Sequence, residues 1–320
     1  MQAARFLGHG RIEIITRDRP AARTGHVRLD VLACALCGSE LRVLKNGWPV
    51  TPGHEIAGRV NEPGHAAHGR RALAYIPVWC GHCPLCTAGD THLCENMGDL
   101  LGWQRDGGYA DCVLVPEQCL LFLPDDIPDH LAPLLLDTIG TPAHGLRLAQ
   151  RVTNHGPVAI LGAGPIGLGA VLVAQQLGFS EIHLGEPRAH RLQTGLSLGA
   201  HALADNAAAR FPIVLESSGV DAARQRALEL TAPNGVCVFL GESDTWQINE
   251  NRAVRRKDFF IARSFYFPIR EYTQNLSLLR THRTQYESLV DAQVPLSGLE
   301  KLFSEFASGA RLKPQFSSSA

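Results

Sequence analysis

Four cysteines fall close together in the run CGHCPLCTAGDTHLC, with the spacing C-x2-C-x2-C-x7-C. Gly81, Pro84 and Gly89 supply bends that would let Cys80, Cys83, Cys86 and Cys94 converge on one ion. Zinc held by four thiolates has no open coordination position, so such a site is structural. An iron–sulfur cluster, which also takes short thiolate spacings, and unmetallated thiols are the alternatives. A second pattern is GAGPIG, in which Gly162, Gly164 and Gly167, with Pro165 and Ile166 between the last two, follow the apolar run VAIL and open an apolar stretch. Glycines there permit a tight turn and close backbone approach, and a helix N-terminus offers free N–H groups to a pyrophosphate. Glu186, at the end of the next β-type run, would accept hydrogen bonds from ribose hydroxyls and repel a 2'-phosphate, favouring NAD over NADP. Arg188 beside it could soften that preference, and a turn that only packs a helix on a sheet is the bland alternative. With the four cysteines set aside, Cys37 in CGSE, His54 in PGHE and Asp137 in LLLDTIG remain as a possible trio that leaves one position open.

Two textures of sequence must position these groups. The first 130 residues read as short strands between turns: in VRLDVLACAL, Val27, Leu29, Val31 and Ala33 share one face, and RRALAYIPV and YADCVLVP follow with β-type composition. From about Pro157 the pattern becomes strand, Gly turn and helix, with β-type runs at EIHLGE, HALA, IVLE, VCVFLG and FFIARSF and helix-like stretches between several of them. That alternation predicts an α/β fold with a doubly wound parallel sheet. After Thr281 one helical pattern, LSGLEKLFSEFASG, is expected, stopped by Gly309 and followed by KPQF and a frayed Ser-rich end.

Composition bounds the function. The 320 residues are 45% hydrophobic and 19% charged, which excludes disorder, and 30 Lys+Arg against 31 Asp+Glu leave no basic excess for a nucleic-acid partner. No apolar run approaches the roughly 20 residues that span a bilayer, and the N-terminal stretch lacks a secretory apolar region. Nine cysteines then point to metal ligands and buried thiols in a cytoplasmic protein.

Taken in order along nearly the whole chain, these motifs resemble the zinc-dependent medium-chain alcohol and polyol dehydrogenases. The resemblance rests on Cys-Gly-x-acid at Cys37, Gly-His-Glu at Gly53–Glu55, the four-cysteine lobe, the GGYA stretch Gly107–Ala110, GAGPIG, and a His-Arg-Leu helix at His190, Arg191 and Leu192. It implies a GroES-like, mostly-β catalytic domain from residues 1–136 and 281–320, with a structural zinc lobe at 80–94, and a Rossmann domain from residues 137–280. It further implies two zinc ions per chain: one on Cys80, Cys83, Cys86 and Cys94, and a catalytic one on Cys37, His54 and Asp137. Glu55 would lie beside the catalytic ion and could exchange with its water, Glu40 replaces the usual aspartate, and Lys313 falls where relatives neutralise this acidic shell. NAD would sit on Gly162, Gly164, Pro165, Ile166, Gly167, Glu186 and Arg191. The zinc would act as Lewis acid on a secondary alcohol of polyol, sugar or aminocyclitol type, which gives up hydride to NAD.

Two departures stand out. Ser39 matches the hydroxyl that passes the proton toward the cofactor ribose, but Arg42 stands where many relatives end that relay with a histidine. An arginine stays protonated far above neutral pH and is no practical base, so Arg42 is expected to contact a cofactor phosphate or an anionic substrate group instead. The stretches from Cys37 to His54 and from Asn61 to Arg71 also look trimmed, making Trp48, Trp103, Phe265 and Phe267 candidates for pocket walls, although aromatics are more often core. A biosynthetic ketone reductase and a catalytically degenerate zinc-binding scaffold are the alternative functions. Homodimers or homotetramers are implied by the same resemblance.

Overall fold

The computed structural model describes residues 1–204, 211–243 and 245–320. The chain forms two compact units, Met1–Leu136 with Pro268–Tyr272 and Tyr286–Ala320, and Asp137–Phe267 with Thr273–Gln285. Strands β1 (Gln2–Gly8), β2 (Arg11–Thr16), β3 (His26–Ala35), β4 (Glu55–Val60), β5 (Arg71–Ala74), β6 (Cys112–Pro116) and β7 (Leu120–Phe122) belong to the first unit. The second holds β8 (Val158–Leu161), β9 (Ile182–Gly185), β10 (His201–Ala202), β11 (Phe211–Glu216), β12 (Thr231–Phe239) and β13 (Phe260–Arg263). β14 (Gln293–Val294) and β15 (Gln315–Ser317) return the chain to the first.

In the first unit a seven-stranded sheet runs β14-β15-β3-β4-β5-β7, with β6 also paired to β3, and β1 and β2 form a separate ribbon. β3 is its longest strand, and Val27, Leu29, Val31 and Ala33 alternate into the core because successive side chains of a strand point to opposite faces. The lobe is not purely β. A 3-10 turn at Gly38–Glu40 leads into the helix Leu41–Asn46, which at six residues is too short to show a helical period in sequence. The C-terminal stretch is more ordered than its Ser-rich composition predicts: Gln315, Phe316 and Ser317 pair with Ala35, Cys34 and Ala33 of β3 and are buried. Backbone pairing there outweighs composition, and only Ser318, Ser319 and Ala320 are left exposed at the end of the chain.

The second unit is a six-stranded, all-parallel sheet in the order β10-β9-β8-β11-β12-β13. The chain starts at the central β8 and winds first to β9 and β10, then back to β11, so the strand order reverses beside β8, where such sheets bind ligands beyond the strand C-termini. Ala159, Leu161, Phe211, Val214, Leu228 and Phe239 make one apolar layer, and burying each larger side chain stabilises the unit by about 1.5–3 kcal/mol. Helices Tyr272–Thr281 and Arg283–Glu287 come before the helix Leu299–Ser308, and the second of them is an addition to the segment after Thr281, for which a single helical pattern is expected. The first of them is rich in Thr, Asn and Ser, poor helix formers in isolation, and is held by the buried Leu276, Leu278 and Leu279. The fold is therefore α/β, a mostly-β unit and a Rossmann-like unit. No helix among the described residues is long and apolar enough to cross a membrane.

Candidate functional site

The four thiols of the cysteine lobe lie together, with all sulfurs within 4.8 Å of one another. Cys83 Sγ and Cys94 Sγ are 4.0 Å apart, close to the edge of about 3.8 Å expected when sulfurs sit about 2.3 Å from a tetrahedral zinc. Backbone N–H groups prepare two of the thiolates: that of His82 brings the Cys80 thiol down to about 6, and that of Cys86 lowers Cys83. Burial pushes Cys86 up to about 12 and raises Cys94, so these two need a cation to ionise. The donor set fits one zinc ion.

A second group gathers Cys37, His54, Glu55 and Asp137, again with one ligand atom each inside 4.8 Å. Cys37 opens the 3-10 turn after β3, His54 immediately precedes β4, which Glu55 begins, and Asp137 stands where the chain leaves the first unit. Cys37 is half-buried, and His54, Glu55 and Asp137 are buried. Glu40 Oε1 lies 2.8 Å from His54 Nδ1, which fixes the tautomer with the proton on Nδ1 and leaves the Nε2 lone pair for a metal. The Ser39 hydroxyl donates to Cys37 Sγ at 3.3 Å, and Thr141 Oγ1 donates to Asp137 Oδ1 at 3.4 Å. Thiolate, imidazole and carboxylate around one point suit zinc.

Lys313 pairs with Glu55, and its ammonium also donates to Leu36 O at 3.0 Å; both charged side chains are at most 1% exposed. The ion pair keeps the buried carboxylate from standing alone. Arg42, exposed on the helix Leu41–Asn46, lays its guanidinium 4.7 Å from the Trp103 ring centroid. Trp103 lies 5.3 Å from the His54 ring and edge-to-face with Trp48, whose indole N–H donates to Trp103 O. Of the proposed pocket walls, these two tryptophans border His54, whereas Phe267 is fully buried in the other unit and Phe265 is exposed.

Sequence reasoning did not give Tyr109 a role beyond the GGYA match. Its hydroxyl donates to Glu40 Oε2 at 2.6 Å, and burial pushes the phenol well above its ordinary value, so it remains a donor. The signal available in sequence was only the glutamate in place of aspartate, long enough to meet it.

In the second unit the GAGPIG turn joins β8 to the helix Pro165–Gln176. Gly162 has φ +98°, a region that favours glycine, and a Cβ on Gly167 would run into Gly162 O. Around a Cβ on Gly164, at the helix N-cap, there is open space. Pro165 and Ile166 form the first turn of the helix, whose leading N–H groups lack intrahelical acceptors. Glu186, just after β9, accepts from the Ala163 N–H at 2.8 Å and from the Arg188 N–H at 3.0 Å. Those bonds fix its carboxylate at the turn and leave lone pairs for ribose hydroxyls. Arg191 is half-buried in the helix Ala189–Ser197. The turn fits a dinucleotide pyrophosphate.

The family profile for the alcohol dehydrogenase GroES-like domain matches residues 23–125. L-threonine 3-dehydrogenase of Aeromonas salmonicida (strain A449) is 31% identical over 265 residues, covering 74% of this chain and 76% of that protein. The chain belongs to the zinc-type medium-chain alcohol dehydrogenases. Galactitol 1-phosphate 5-dehydrogenase of Escherichia coli (strain K12) is 30% identical over 236 residues, 67% of each protein. The solved alcohol dehydrogenase from Thermus sp. ATN1 superposes with a TM-score of 0.89 over 99% of each chain at 26% identity. The present dehydrogenase is thus an oxidoreductase of the alcohol and polyol type.

Proposed function

We propose that this dehydrogenase interconverts a secondary alcohol of polyol, sugar or aminocyclitol type and its ketone with NAD. The observation that carries the reading is the gathering of Cys37, His54, Glu55 and Asp137 ligand atoms within 4.8 Å. One zinc ion would be held by Cys80, Cys83, Cys86 and Cys94, a second by Cys37, His54 and Asp137, and the dinucleotide by the GAGPIG turn. When bound, the zinc at Cys37, His54 and Asp137 supplies Lewis acidity toward the substrate oxygen, and the nicotinamide supplies the hydride acceptor. The residues of the chain do the rest. Ser39 takes the hydroxyl proton of the substrate and passes it outward. Glu55, held by Lys313, sets the local negative charge. Glu186 favours the unphosphorylated ribose, and Arg42, a fixed cation on the Trp103 ring, takes an anionic group of cofactor or substrate.

The similarity to a threonine and a galactitol phosphate dehydrogenase supports small polar alcohols as the substrate class. We further propose a homodimer through β13, the outermost strand of the parallel sheet, where Phe260 and Ile261 are exposed. A cytoplasmic location fits nine cysteines that form no disulfide with one another. The deciding experiment is metal content beside NADH formation on a panel of polyols, aminocyclitols and simple secondary alcohols. About two zinc ions per chain, with turnover abolished in Cys37→Ser and a raised KM for dinucleotide or substrate in Arg42→Ala, is the expected outcome. One zinc ion and no turnover would favour the scaffold reading instead.

A further inference from the structure

The carboxylate of Glu40 is a junction. Oε1 meets His54 Nδ1 at 2.8 Å, while Oε2 accepts the Tyr109 hydroxyl at 2.6 Å and the Cys37 backbone N–H at 3.2 Å. A carboxylate swings about its terminal carbon–carbon bond, so two donors on one oxygen fix the direction of the other. The single phenolic proton belongs to this bond, since the alternative acceptor, Ala35 O, is 3.4 Å away. Glu40 is 1% exposed and Tyr109 fully buried, so water offers no substitute donor.

The backbone registers Tyr109 against the histidine. Gly107, Gly108 and Tyr109 donate to Thr51 O, Gly53 O and Pro52 O at 2.7, 2.8 and 3.1 Å, along the segment that ends in His54. That approach is closed to side chains: a Cβ on Gly108 would lie 2.7 Å from Ile56 Cγ1 and 2.8 Å from Cys34 Sγ. The GGY sequence therefore delivers one hydroxyl to one place, beneath Glu40. An aspartate at position 40, shorter by one bond of about 1.5 Å, would not span both His54 and Tyr109.

We propose that Tyr109 is a positioning residue for the metal centre: through Glu40 it holds the His54 imidazole with Nε2 turned to the Cys37, Glu55 and Asp137 group. The inference rests on reading that group as metal ligands, and its test separates the two. The protein loaded with zinc, and a cobalt-substituted sample, are challenged with a chelator, and metal loss and the visible cobalt absorption are followed in wild type, Tyr109→Phe, Glu40→Asp and the double variant. Tyr109→Phe should lose metal from the His54 site about tenfold faster and alter its cobalt band, with the four-cysteine ion retained as at wild-type rate. Glu40→Asp should do the same, and the double variant should add little, because the two groups act through one bond. Should Tyr109→Phe fold poorly, Glu40→Asp alone must show the faster loss. Unchanged retention and an unchanged band in the folded variants would overturn the positioning role while leaving the metal site standing. A wild-type chain that takes up only the four-cysteine ion would overturn both.

Discussion

At the scale of single residues, the candidate site sets polar and charged side chains, most of them buried, against named partners. Lys313 and Glu55 are the sharpest case, because neither side chain reaches water. Removing one member leaves the other charged in a medium that solvates it badly, which costs about 3–5 kcal/mol. Lys313→Met is accordingly expected to destabilise the protein by that order in denaturant unfolding, and Glu55→Gln on top of it should restore part of the loss. An additive double variant would show that the two side chains do not depend on each other. The sequence makes some of these residues legible and hides others. Cys80, Cys83, Cys86 and Cys94 are neighbours along the chain, so their spacing alone announces a common ligand. Cys37, His54 and Asp137 lie far apart, so the sequence offers them only as a possible trio, and it is the resemblance to a family that gives them a common ion. Tyr109 is hidden further, since nothing local in GGYA says that its hydroxyl ends on Glu40.

At the scale of elements, two glycine-lined approaches place the chemistry. The turn after β8 works because Gly167 lets the helix Pro165–Gln176 start against Gly162 O. Gly167→Ala must push the two apart, with a cost of about 1–3 kcal/mol, and the leading N–H groups move with the helix. A lower melting temperature together with weakened NADH binding in a fluorescence titration is expected; unchanged binding would mean that the turn serves packing alone. This motif was readable because strand, glycines and helix follow one another without interruption. The helices Leu41–Asn46 and Tyr272–Thr281 were not, the first because it is a turn and a half long and the second because packing of Leu276, Leu278 and Leu279 overrides weak intrinsic propensity.

For the whole molecule, the alternation of strand and helix and the period-two pattern of β3 sufficed to give the α/β class, since periodicity is a property of the chain itself. Association is a different matter, set by what an edge leaves uncovered. β13 ends its sheet with Phe260 and Ile261 exposed at 58% and 44%, and a second copy of the same strand would cover them about a two-fold axis. Sedimentation should show a dimer at micromolar concentration that Ile261→Lys converts to monomer; a wild-type monomer would remove this interface. The first unit, meanwhile, depends on residues from both ends of the chain: β15 pairs with β3, and Lys313 pairs with Glu55. On the ribosome, where domains fold as their sequence emerges, the order of manufacture is thereby reversed. The first unit is completed only after the second has been made, its long central strand lacking the β15 partner and its buried acid lacking a counterion until Lys313 and Gln315–Ser317 are translated.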